Sequence, residues 1–112
     1  MNGMLLLDGR TQSVIEESVP EEGVLNGLVS FFSVFADPTR IKILSALSVS
    51  ELCVTDLARV LKMNQTTISH QLRFLKGNGI VRTERHGKVI FYRLSNDVVG
   101  EVLLHGVEFL GY

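Results

Sequence analysis

The stretch N-Q-T-T-I-S-H-Q-L-R-F-L-K-G-N-G (residues 64–79) decides the fold. Asn64 can cap a helix, Ile68, Leu72 and Leu75 recur at i, i+4 and i+7 as one inward stripe, and Gly77 and Gly79 can end it. At about 100° per residue, Thr66, Ser69, His70 and Arg73 gather on the opposite side. Between positions 65 and 81 there is no Asp or Glu, although an exposed helix ordinarily mixes signs. The outward face is therefore uncharged or basic and rich in hydrogen-bond donors.

Working outward, Lys62-Met63-Asn64 reads as a tight turn, and the residues before it as a shorter helix through Asp56, Leu57, Ala58 and Leu61, with Thr55 placed to cap it. Two helices across such a turn make a helix-turn-helix, whose second helix is the one that enters a major groove. There Ser, Thr and Arg can read base edges, Arg by a bidentate contact to guanine, while Gln65 can reach a base or a phosphate. The bland alternative is a solvated polar helix face. Downstream the period changes to two, over 81–85 and 88–94, joined across Arg85-His86-Gly87-Lys88. This is a β-hairpin with a basic tip, on which Arg82, Arg85, Lys88 and His86 could follow a phosphate backbone or enter a minor groove.

The rest of the chain reads as helix. Asp37-Pro38 suits an N-cap followed by proline at the first helical position, opening a helix whose stripe is Ile41, Leu44 and Leu47. Before it, Pro20 and two glutamates suit the first turn of a helix running to about Phe35, with apolar residues around much of its circumference. After the hairpin, Ser95 or Asn96 can cap a final helix over about 97–110, with a broad apolar face of Val99, Val102, Leu103, Gly106, Phe109 and Leu110. A lone domain would leave much of both surfaces wet, which favours an isologous dimer. The fold class is mainly α with a β-hairpin wing: a winged helix-turn-helix over residues 20–112, preceded by a loosely patterned arm over 1–19.

Composition sets the bounds. With 112 residues and 46% apolar content the chain suits one folded domain. Its single cysteine cannot form an internal disulfide, so a reducing cytoplasm is expected. The early apolar run over 4–7 lacks a basic leader and is too short to span, so neither export nor insertion is expected. Net charge is −1, yet ten Lys or Arg face three acids between Arg40 and Arg93, giving +7 there, while the flanks carry −8. A basic middle between acidic ends suits a polyanion-binding face. Three scattered histidines, one cysteine and no phosphate-cradling glycine loop leave no nucleophile with an evident base, so an enzyme is not expected.

The segments A-D-P-T-R-I-K-I-L (36–44), E-L-C-V-T-D-L-A (51–58), T-T-I-S-H-Q-L-R-F-L-K-G-N-G-I-V (66–81) and R-H-G-K-V-I-F-Y-R-L (85–94) resemble the ArsR/SmtB family of winged-helix repressors. The likeness covers roughly residues 24–110. It implies a homodimeric repressor, paired through its first and last helices, that binds double-stranded operator DNA and is released by an inducer. The residues expected to contact DNA are Gln65, Thr66, Ser69, His70, Arg73, Arg85 and Lys88.

Many members sense thiophilic metals, and Cys53 and Asp56 match ligand positions of one of the family's sites, making zinc or cadmium the metals to consider. Members with a strong thiolate site carry a second cysteine where Thr55 stands, and others draw Cys or His from the partner's arm. Residues 1–30 contain neither. At the family's second site, on the last helix, this chain has Asn96, Val98, Phe109 and Tyr112, a set that does not ligate. Asp97, Glu101, His105 and Glu108 share one helix face, whose ordinary reading is a solvated stripe. A thiol-reactive signal at Cys53 and simple packing of its side chain are the other readings. A winged-helix module that binds a protein and does not read DNA sequence is the alternative function.

Overall fold

The computed structural model describes residues 6–112, so the first residues of the arm and of the 4–7 apolar run lie outside it. The chain divides into two units, one ending at Phe32 and the other comprising Ser33–Tyr112. The first long helix falls in the same unit as the arm.

In the first unit, the arm holds a helix that its weak patterning did not announce, α1 (Gly9–Ser18). Asp8 caps it, accepting the Thr11 N–H at 2.7 Å, and this bond is the main reason the Asp8 carboxyl lies below its ordinary pKa. Helix α2 (Glu22–Ser33) follows, its first turn closed by the Leu25 N–H donating to the Glu21 carbonyl at 2.8 Å. Neither helix has a buried residue, and Val24, Val29 and Phe32 are all more than half exposed.

The second unit contains every buried apolar side chain among the described residues. A 3-10 turn, Val34–Ala36, leads to α3 (Pro38–Leu47), where Asp37 accepts the Arg40 N–H at 3.0 Å as the cap and Pro38 stands in the first turn, as its sequence requires. The inward stripe is Ile43, Leu44 and Leu47, whereas Ile41 is 38% exposed. Ile41 was expected inside; the i, i+1, i+4 set closes a tighter wedge than the i, i+3, i+6 set, which drifts around the cylinder.

Next come β1 (Leu52–Cys53), α4 (Val54–Leu61), α5 (Gln65–Gly77), β2 (Val81–His86), β3 (Val89–Leu94) and α6 (Asp97–Phe109). The sheet is antiparallel in the order β1-β3-β2, with Leu52 opposite Tyr92, Cys53 opposite Phe91, and the hairpin in register from Val81–Leu94 to His86–Val89. The hairpin was expected; its third strand was not. Leu57, Ile68, Leu72 and Leu75 are fully buried with Ile43 and Leu44, and Val99 brings α6 onto the same core. Asn96 caps α6 by accepting the Val98 N–H at 2.9 Å. Among the described residues no helix is long and apolar enough to cross a membrane.

Candidate nucleic-acid interface

Two local devices set the angle between α4 and α5. Lys62 adopts the left-handed conformation at φ 57°, and the Met63 N–H donates to the Ala58 carbonyl at 2.9 Å, ending α4 within one residue. Asn64 then opens α5 by accepting the Thr67 N–H at 2.7 Å. Asn64→Ala should lower stability by about 1 kcal/mol, read from denaturant unfolding, because it leaves a helix-terminal donor without its side-chain partner. An unchanged midpoint would show that water replaces the cap at no cost.

Packing then fixes what α5 shows to solvent. Ile68, Leu72 and Leu75 are 0% exposed, which turns Thr66, His70 and Arg73 outward and leaves Ser69 half-buried. Thr66, Ser69, His70 and Arg73 thus share the solvent side, Arg73 standing three residues from His70 and four from Ser69, while Gln65 is exposed because it opens the helix.

On the hairpin, Arg85 and Lys88 are exposed at the tip, where Gly87 takes φ 65° to make the two-residue turn. Arg85 Nε–H donates to the Gly87 carbonyl at 3.0 Å, so this side chain stiffens the tip. Arg82 is occupied otherwise: its guanidinium donates to the Ser95 carbonyl, and Ser95 Oγ–H donates to the Gly79 carbonyl at 2.6 Å, stitching the hairpin base to the start of α6. His86 Nε2 lies 3.5 Å from a Glu84 oxygen and 3.9 Å from a Glu51 oxygen, with its ring edge-on to Phe91. These contacts draw Arg82 and His86 away from the basic tip, a separation that residue type alone does not reveal.

Cys53 occupies the N-cap position of α4 but makes no capping hydrogen bond through its side chain, and Thr55, expected as the cap, is exposed inside the helix. The pairing of Leu52 and Cys53 with β3 moves the helix start back to Val54. Cys53, Asp56, Lys88, Val89, Ile90 and Tyr92 line an open groove of about 510 Å³. Two donors are present in it, and among the described residues no group of three or more His, Cys, Asp or Glu could hold a metal ion. Two donors from one chain do not by themselves complete a four-coordinate zinc set. Asp97, Glu101, His105 and Glu108 are exposed along α6, and at its C-terminal end Phe109 and Leu110 are 89% and 67% exposed.

A helix pair joined by a tight turn, followed by a hairpin wing that the strand before the pair extends to three strands, and by a closing helix, defines a winged helix-turn-helix protein. Residues 37–83 match the family described as bacterial regulatory protein, arsR family. The chain is 42% identical over 72 residues to the transcriptional repressor SmtB homolog of Synechocystis sp., covering 64% of this chain and 54% of that protein. It is 36% identical over 80 residues to the cadmium resistance transcriptional regulatory protein CadC of Listeria innocua, covering 70% and 67%. The match thus spans little more than half of the Synechocystis protein. Among solved structures, the AntR antimony-specific transcriptional repressor superposes with a TM-score of 0.73 at 30% identity, over 96% of this chain and 95% of that one. This chain belongs to the ArsR family of helix-turn-helix transcriptional regulators.

Proposed function

We propose that this protein is a homodimeric, sequence-specific repressor that reads operator DNA with α5 and follows the phosphate backbone with its wing. The observation that carries this reading is the outward set Thr66, Ser69, His70 and Arg73, backed by a fully buried stripe, with Gln65 exposed at the helix start. Such backing holds base-reading side chains in fixed register with the groove. Arg85 and Lys88, at the exposed tip, take the phosphate or minor-groove role.

Dimerisation is supported by the unburied apolar surfaces of α2 and α6, each described above, and by a homodimeric relative of the same fold from Mycobacterium bovis. A reducing cytoplasm, where the chain's target DNA lies, is the compartment this reading requires. No catalytic step belongs to it. An inducer would end the repression, either a metal ion such as zinc or cadmium taken up at Cys53 and Asp56 with further donors, or a signal that reacts with the Cys53 thiol; relatives are named for cadmium and antimony.

The test is fluorescence anisotropy on DNA upstream of the protein's own gene and on random DNA of equal length, across a salt series. Tight binding to the first and weak, salt-steep binding to the second support a repressor. Equal weak binding to both would favour a winged-helix module with a protein partner. Lys88→Ala should weaken binding to all sequences alike and reduce the salt slope by about 1, one phosphate contact's worth; an unchanged slope would take the wing tip off the backbone. Adding zinc, cadmium and a mild oxidant to wild type and to Cys53→Ser then separates metal from thiol chemistry.

A further inference from the structure

Arg40 lies in the first turn of α3, outside the outward face of α5, and its side chain makes three hydrogen bonds and a ring contact. Its Nε–H donates to the Val34 carbonyl at 2.9 Å and Nη2 to the Ser33 carbonyl at 3.1 Å, so it caps the chain where α2 ends. Nη1 donates to Gln71 Oε1 at 3.4 Å, and the guanidinium carbon stands 4.5 Å from the centre of the Phe74 ring. Gln71 in turn donates from Nε2 to Asp37 Oδ2 at 3.4 Å, the same oxygen that accepts the Arg40 backbone N–H at 3.0 Å. Arg40, Asp37 and Gln71 close a ring of hydrogen bonds between the start of α3 and the middle of α5.

The position of this grip on α5 matters. By helical geometry Gln71 and Phe74 lie on the flank between the buried stripe and the outward face. The close-packed apolar stripe seats α5 on the core, but burial is itself non-directional, so the last few degrees of roll depend on what grips the helix flank. Hydrogen bonds at the flank are directional and do resist it. For a helix of about 5–6 Å outer radius, a 10° roll moves each outward tip by about 1 Å, enough to break a bidentate base contact. We infer that Arg40 is a positioning residue for DNA reading: it fixes the roll of α5 without touching a base. Lysine cannot replace it, because one ammonium cannot span two carbonyls, an amide oxygen and a ring face at once.

This inference rests on the DNA-reading role of α5, and the experiment separates the two. Arg40→Lys, which keeps the charge, is compared with wild type on the tightest duplex selected from a random pool and on non-selected DNA. Amide hydrogen exchange of the free proteins is measured alongside. The expected result is a loss of tenfold or more on the selected duplex, unchanged affinity and salt slope on non-selected DNA, and faster exchange in α5 than in β2 and β3. Equal losses on both DNAs with a shallower slope would make Arg40 a phosphate contact and overturn the inference. So would α5 exchange matching wild type, whatever the DNA result. If wild type selects no duplex, the repressor reading fails visibly in wild type, not in the variant, and the inference fails with it. Should Arg40→Lys unfold, Gln71→Ala removes only the α5 side of the ring; it should lower affinity for the selected duplex alone, and no change would likewise overturn the inference.

Discussion

Leu72→Ala should unfold the second unit at a denaturant concentration well below that of wild type, with a loss of about 2–5 kcal/mol. Leu72 is 0% exposed on the inward stripe of α5, between Ile68 and Leu75, which are equally buried. Truncation removes three carbons from a site whose walls come from several elements, and walls of that kind relax only in part around the hole. The affinity for DNA should fall only as far as the folded fraction falls. If protein concentration shifts the midpoint, the fold is coupled to subunit pairing and the comparison must be made at one fixed concentration. A loss under about 1 kcal/mol would mean that α5 collapses into the space, which would contradict a rigid support for the outward face.

Arg73→Ala, one residue along, should show the opposite signature. Stability stays within about 0.5 kcal/mol of wild type, since an exposed arginine leaves no cavity. Operator affinity should fall by about 1–3 kcal/mol, roughly 5- to 150-fold, with a much smaller loss on random DNA. Anisotropy titrations on both DNAs in one buffer decide it. Equal losses on the two would remove Arg73 as a base reader and leave it a phosphate contact. Adjacent residues with separable effects, one on unfolding and the other on discrimination, follow from the helical period alone.

Much of this was legible in the chain. The spacing of Ile68, Leu72 and Leu75 marked α5 and its inward side, and Asp37, Asn64 and Asn96 marked three helix starts, because caps are local chemistry between residues two or three apart. What the sequence hid is what depends on distant partners. The strand Leu52–Cys53 exists only because Phe91 and Tyr92 lie beside it; the short apolar run L-C-V was its one local signal. Helix α1 escaped because its apolar residues are few and none is buried. Arg82 read as a phosphate contact and Arg40 as one of ten positive charges, yet each guanidinium is committed to carbonyl groups that only the folded chain brings to it. The outward candidates on α5 were the easiest to name, since an acid-free polar helix face is visible without any tertiary contact.

The third strand carries a lesson for anyone building chimeras within this fold. A wing is usually treated as a cassette that can be cut from one regulator at its two hairpin ends and stitched into another. Here the cassette has a hidden third edge, because β3 is paired on its far side by the two residues that lead into α4. A graft of residues 81–94 alone would meet a foreign Leu52–Cys53 and inherit whatever register that pair imposes, shifting alternate side chains to the wrong side of the sheet if it slips by one. The transplantable module is discontinuous, residues 52–53 together with 81–94.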